Sequence, residues 1–89
     1  MKTIITVTGL DRTGIIASVC TLLAKHDINI LDISQTVMRD FFTMTMLADT
    51  GLSDISFEEL SGELAKKGDE MKLSVRIQRE DIFRAMYEI

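Results

Sequence analysis

Residues 3–30, TIITVTGLDRTGIIASVCTLLAKHDINI, decide the fold of this chain. They open with a short β-branched run that is typical of a strand, and Gly9 ends that run. From Ile15 onward the apolar residues recur at helical spacing, which predicts an amphipathic helix that ends near His26. A second strand is predicted over residues 28–38. The stretch therefore indicates a strand, a helix and a strand in succession.

The predicted second strand alternates irregularly. Ile28 and Ile30 fall on one phase of the strand, whereas Leu31, Ile33 and Val37 fall on the other. Because successive strand residues point to opposite faces of a sheet, a slip of one residue is typical of a β-bulge. We therefore expect a bulge or another irregularity near the start of this strand.

A hairpin and a second helix are predicted next. Arg39-Asp40 indicates a tight turn, although it lacks the favoured glycine, and it leads into a third strand over residues 41–48. Ser56 and Glu59 match a capping box, in which each side chain serves a backbone N–H at the start of a helix. Gly68 is expected to end that helix.

The last part of the chain predicts a fourth strand and a short helix. Apolar residues alternate with polar ones from Met71 to Ile77, as in a half-buried strand, and residues 80–88 predict a C-terminal helix. The element order is that of the ferredoxin-like βαββαβ sandwich of the α+β class. We expect residues 1–89 to form one domain, with an antiparallel four-stranded sheet and two helices on one of its faces.

The bulk composition excludes several classes of protein. The 89 residues are 46% hydrophobic and 27% charged, which is typical of a globular domain. The net charge of −4 argues against nucleic-acid binding, because phosphate contacts need a basic surface. A single cysteine, Cys20, excludes an internal disulfide and favours a reducing compartment. Without a signal peptide or a membrane span, the chain is expected to be cytoplasmic.

The sequence contains no second residue with which a candidate catalytic or metal-binding residue could form a known type of site. Cys20 lacks the second cysteine of a metal-binding pair, and His26 lies at a helix end without a serine or cysteine motif beside it. Arg12 resembles the cradle of an acyl-phosphate hydrolase only superficially, because Asp11 beside it would repel an anion. We therefore expect no enzymatic activity, no catalytic residue, no metal ion and no cofactor.

Two short motifs remain. The first strand leads into Thr8-Gly9-Leu10-Asp11-Arg12-Thr13-Gly14-Ile15, and the second strand begins with Asp27-Ile28-Asn29-Ile30-Leu31-Asp32. This pattern resembles the ACT domain, in which Asp-x-x-Gly-Ile opens the first helix and Asn-Ile leads into the second strand. The element order agrees over residues 1–78. The whole chain further resembles small stand-alone ACT proteins of bacteria, which include relatives of a glycine-cleavage transcriptional repressor.

The resemblance implies a regulatory homodimer with a small ligand, an amino acid, at the subunit interface, and it leaves open whether the two sheets pair side by side or face to face. The ligand would lie between the first loop of one protomer and the start of the second strand of its partner. Helix-start amides can donate hydrogen bonds to a carboxylate, and Asn29 offers both a donor and an acceptor to a zwitterion. The implied ligand-binding residues are Asp11, Arg12, Thr13, Gly14, Ile15, Asn29 and Ile30.

Simpler explanations of the same residues stay open at this point. Gly14 would also serve tight packing of the helix on a strand, and Asn29 would also shape a turn. Asp11 or Thr13 would cap the first helix, and Arg12 would be solvated. An alternative function is a ligand-free interaction module that regulates a partner protein in trans.

Overall fold

The computed structural model describes residues 1–87. These residues form seven elements in the predicted order, namely β1 (Lys2–Leu10), α1 (Ile15–Lys25), β2 (Asn29–Met38), β3 (Phe41–Asp49), α2 (Phe57–Met71), β4 (Ser74–Arg79) and α3 (Glu80–Tyr87). The βαββαβ order with a short C-terminal helix is therefore confirmed. Residue 88, the predicted last residue of that helix, lies outside the described residues. No helix within the described range is long and apolar enough to cross a membrane.

The four strands form one antiparallel sheet in the order β2-β3-β1-β4. Residues directly paired in an antiparallel ladder point to the same face, so Ile5 and Val7 share a face with their partners Met46 and Met44. These residues are fully buried, because α1 and α2 cover that face of the sheet. The helices contribute Val19, Leu23, Leu60 and Leu64 to the same core.

The predicted irregularity of β2 is a bulge. Ile30 pairs with Ala48 and Asp32 with Leu47, so Leu31 is an extra residue without a counterpart on β3. The hairpin after β2 is confirmed as well. Arg39 occupies its first turn position with φ +57°, a left-handed conformation for which glycine is usually chosen.

The second helix begins at the predicted cap, although Glu59 contacts the hydroxyl of Ser56 and not its backbone N–H as in a full capping box. Ser56 is its N-cap residue, and its Oγ accepts a hydrogen bond from the Glu59 N–H at 3.1 Å. The same hydroxyl donates to Glu59 Oε1, also at 3.1 Å. A side-chain acceptor at this position satisfies one of the backbone donors that the first helical turn leaves unpaired.

The predicted end of the second helix is wrong. The helix runs through Gly68 to Met71, so Met71 does not belong to the last strand. It ends at Lys72, which has φ +59°, while the Leu73 N–H donates to the Gly68 carbonyl at 2.7 Å. A Cβ on Gly68 would lie 2.8 Å from the Leu73 carbonyl oxygen. Gly68 is therefore a close-contact position between α2 and the chain entering β4, not a terminating residue.

Candidate functional site

The first loop ends at Gly14, which precedes α1. Its φ is +91°, and no side-chain hydrogen bond caps the helix there. The prediction that Asp11 or Thr13 caps α1 is therefore wrong. A Cβ on Gly14 would meet nothing within 4 Å, so tight packing is not what requires glycine at this position. The positive φ requires it, because a Cβ is strained in that conformation.

Replacement of Gly14 by alanine is expected to lower the free energy of unfolding by about 1 kcal/mol, which is the cost of forcing a Cβ into the left-handed region. The empty space around Gly14 means that no steric clash adds to this figure. Urea denaturation of both proteins measures the difference. A loss above about 3 kcal/mol would show that the side chain meets an obstacle, and would contradict the conformational explanation.

Two hydrogen bonds hold the first loop in place. The Asp11 N–H donates to the Asp40 carbonyl at 2.7 Å, which ties the loop to the turn between β2 and β3. The Arg12 guanidinium donates through Nη1 to the Met71 carbonyl at 3.2 Å, which ties it to the end of α2. Arg12 is exposed, as expected, but this bond orients it. The loop is therefore fixed on two sides while the side chains of Asp11, Arg12 and Thr13 remain exposed.

Ile15 has a different role from its neighbours. Its side chain is only 2% exposed and belongs to the core, so only its backbone N–H is available to a ligand. The first hydrogen bond within α1 is donated by the Ser18 N–H to the Gly14 carbonyl at 2.9 Å. The amides that precede Ser18 in the first turn are the ones that such a helix start leaves without an intrahelical partner.

The second half of the expected site lies at the other end of the molecule. Asn29 is exposed and pairs with Asp49, at the end of the sheet opposite to the first loop. Ile30 is half-buried and packs against the core. Gly14 and Asn29 flank the whole of α1, which has 11 residues and is therefore roughly 16 Å long. A single chain does not bring the two halves of the site together.

A cavity of about 400 Å³ lies beside Asn29, and Ala24, Asp27, Ile28, Asn29 and Leu52 line it. Its position supports Asn29 as a site residue. Asp27 and Leu52 line the cavity but are not among the predicted site residues. Asp27 lies between α1 and β2. Leu52 is an isolated apolar residue in a loop, and only the folded chain places it beside Asn29.

The loop that carries Leu52 is well ordered by hydrogen bonds. The Thr50 N–H and hydroxyl each donate to the Met1 carbonyl at 2.8 Å, and the Ser53 N–H donates to the Thr50 carbonyl at 3.0 Å. Asp54 in the same loop lies 3.4 Å from His26 Nδ1, while His26 Nε2 lies 2.8 Å from Glu63 Oε2. The second contact is at ion-pair distance but is not aligned as a hydrogen bond. His26 lies at the C-terminal end of α1, and it contacts both the loop, through Asp54, and the middle of α2, through Glu63.

A larger groove of about 550 Å³ lies between α1 and α2. Its walls include Lys25, Lys66 and the pair formed by Lys67 and Glu70, whose charged atoms are 3.5 Å apart. The groove contains none of the residues predicted for the ligand site. Size alone therefore does not identify the ligand site, and the cavity at Asn29 is the one that coincides with the sequence motif.

Comparison with known proteins agrees with the fold and the motifs. A sequence model of the ACT domain matches residues 2–78. A UPF0237 protein of Clostridium acetobutylicum is 51% identical over 89 residues, which is 100% of both chains. The structure of an ACT domain protein from Streptococcus pneumoniae superimposes with a TM-score of 0.83 and 40% identity over 98% of each chain.

A more distant structure shows the same fold. It is named as a glycine cleavage system transcriptional repressor, has a TM-score of 0.74 and is 23% identical, over 86% of this chain and 44% of that one. At this identity the likeness concerns the fold alone. The family match over most of the chain and the full-length relatives go further, and they establish that this chain belongs to the ACT domain family of regulatory ligand-binding domains.

Proposed function

We propose that the chain is a non-enzymatic, cytoplasmic regulatory domain, which forms a homodimer through β2 and binds an amino acid between the two subunits. The observation that carries this proposal is the exposed edge of the sheet at β2. Every residue from 31 to 38 is exposed on this ten-residue strand, although it includes Ile33 at 42% and Val37 at 52% exposure.

The two edges of the sheet differ in how they are protected. Long edge strands invite pairing with another chain, and natural proteins usually protect them with lysine, proline or a short length. β2 has ten residues and contains no lysine or proline, and its protection is limited to the bulge at Leu31 and one charged residue, Asp32. β4 is only six residues long and carries Arg76 and Arg79. The contrast supports β2 as the strand that pairs with a second copy.

Antiparallel pairing of two β2 strands would complete the ligand site. The start of β2 in one protomer then lies beside the end of β2 in its partner, so Asn29 approaches the Arg39-Asp40 turn of the other chain. That turn is bonded to the first loop through Asp11. The cavity at Asn29, which is open in one chain, would thus be closed by the partner's Arg12 and Gly14. This arrangement joins two half-sites that α1 keeps apart within a chain.

The chemistry of the combined site suits a zwitterion. Asp11 adds a negative charge to the first loop, but the guanidinium of Arg12 and the uncapped amides at the start of α1 supply the positive charge and the donors that favour the carboxylate of an amino acid. The carboxamide of Asn29 adds a donor and an acceptor. A ligand held by both protomers stabilises the dimer over the monomer, and a partner protein would respond to that shift.

Calorimetric titration with each of the twenty amino acids tests this proposal. We expect saturable heat with a subset of them, one site per protomer, and a melting temperature that rises with the concentration of the same compounds. Absence of heat and of any melting shift with all twenty would contradict the proposal. That result would favour the alternative of a ligand-free module that regulates a partner in trans, for which co-purification from lysate is the next experiment.

A further inference from the structure

We propose that Asp27 binds the ammonium group of the ligand, and that Leu52 and Ala24 select an aliphatic side chain. This inference rests on the proposed function, because it assigns the ligand class of the same site. Asp27 and Leu52 both line the cavity beside Asn29, and neither is among the residues for which the family resemblance implies ligand binding.

Asp27 is the acidic residue that lines the cavity, and its carboxylate has no counter-ion among the described residues. It is exposed, and within residues 1–87 its side chain forms no ion pair or hydrogen bond. The two other carboxylates near this end of the sheet are engaged. Asp49 lies 3.7 Å from the N-terminal amino group, and Asp54 lies 3.4 Å from His26. Lys25, although close in sequence, lines the separate groove between α1 and α2.

The backbone at position 27 does not explain the choice of aspartate. Asp27 has φ +57° at the exit of α1, where glycine and asparagine are equally suitable. The negative charge is thus an additional feature of this residue. An ammonium group in the cavity would form a charge-assisted hydrogen bond with it, which is among the stronger interactions available to a small ligand.

The rest of the cavity is apolar. Ile28 is 6% exposed and forms part of the core, and Ala24 adds a small methyl group. Leu52 is 89% exposed, even though the hydrogen-bonded turn around Thr50 fixes its loop. Contact between the exposed Leu52 side chain and an aliphatic group of the ligand would therefore contribute binding free energy, at about 25 cal/mol for each Å² of apolar surface buried. Charged amino-acid side chains would gain nothing there.

The test compares the unchanged chain with Asp27→Asn, which keeps the shape and the tolerance of positive φ but removes the charge. Calorimetry with L-leucine is expected to show binding about 10- to 100-fold weaker in the variant. 4-Methylpentanoate, which is leucine without its ammonium group, is expected to bind both proteins equally weakly. Glu58→Gln, at an exposed carboxylate on α2 that lies outside β2 and does not line the cavity, is the control and is expected to bind L-leucine like the unchanged chain.

The selectivity of the cavity is tested with Leu52→Ala. This change is expected to weaken L-leucine several-fold more than L-alanine, because only the longer side chain reaches position 52. Tightest binding of an acidic or basic amino acid by the unchanged chain would overturn the aliphatic assignment. If Asp27→Asn fails to fold, Asp27→Gly replaces it, since glycine accepts the same backbone conformation.

The outcomes separate this inference from the proposed function. If no amino acid binds the unchanged chain, the proposed function itself fails, and the assignment of Asp27 fails with it. If L-leucine binds the unchanged chain and Asp27→Asn with equal affinity, only the assignment of Asp27 is overturned. A loss of L-leucine binding in Asp27→Asn, with Glu58→Gln unaffected, supports both.

Discussion

A chain that carries Ile33→Lys and Val37→Lys is expected to sediment as a monomer at concentrations where the unchanged chain sediments as a dimer. Ile33 and Val37 pair with Met46 and Phe42 on the helix-facing side of the sheet. In an antiparallel pair of β2 strands, the introduced lysines would face one another across the dyad. Like charges in such a contact cost several kcal/mol, so the dimer dissociation constant should rise about 100-fold or more.

Sedimentation velocity over a range of concentrations measures this shift. Ala65→Lys with Ala85→Lys is the matched control, because it adds the same two charges at exposed helical positions. The control is expected to remain a dimer. If both variants remain dimers, β2 is not the contact and the combined site cannot form as proposed. If both dissociate, net charge rather than the edge of the sheet governs association.

The second large effect concerns two glycines of the same helix. Gly68→Ala is expected to lower the free energy of unfolding by about 1–3 kcal/mol, because the new Cβ would lie 2.8 Å from the Leu73 carbonyl oxygen, a backbone atom. Gly62→Ala is expected to raise it by about 0.5–1 kcal/mol. Gly62 is exposed within α2 with nothing within 4 Å of the new methyl group, so only the helix propensity of alanine counts.

Chemical denaturation of the two variants and the unchanged chain gives both numbers in one experiment. The opposite signs are the important part of the prediction, because helix propensity alone would make both substitutions stabilising. If Gly68→Ala stabilises the chain as much as Gly62→Ala does, then α2 is not in close contact with the residue that precedes β4.

Local features of the fold followed from the sequence, because each depends on a few neighbouring residues. The start of α2 is such a case, since the hydroxyl of Ser56 and the N–H of Glu59 are only three positions apart. The bulge at Leu31 is another, because a slip in a two-residue period is visible in the strand itself. The family motifs also placed the two halves of the candidate site, although their ligand-binding role remains a prediction.

Gly68 and Gly14 show what the sequence could not decide. A glycine near the end of a helical pattern predicts the end of the helix. Gly68 fits that pattern, but α2 continues past it, and the glycine instead allows close contact with Leu73. At Gly14 the sequence left tight packing open as an alternative to a ligand role, and only the folded chain shows that nothing lies within 4 Å and that φ is positive. A glycine has no side chain that distinguishes these uses, so only its surroundings in the folded chain do.

The sequence by itself determined the element order and the buried faces, because these follow from periodicity and from caps a few residues long. The tertiary structure decided which strand is an exposed edge, how far apart Gly14 and Asn29 lie, and that Leu52 shares a cavity with Asp27. Gly14 and Asn29 are 15 positions apart along the chain, and Asp27 and Leu52 are 25 apart, so their relation depends on how whole elements pack. No local pattern records such packing, since it arises only when the sheet and its helices assemble.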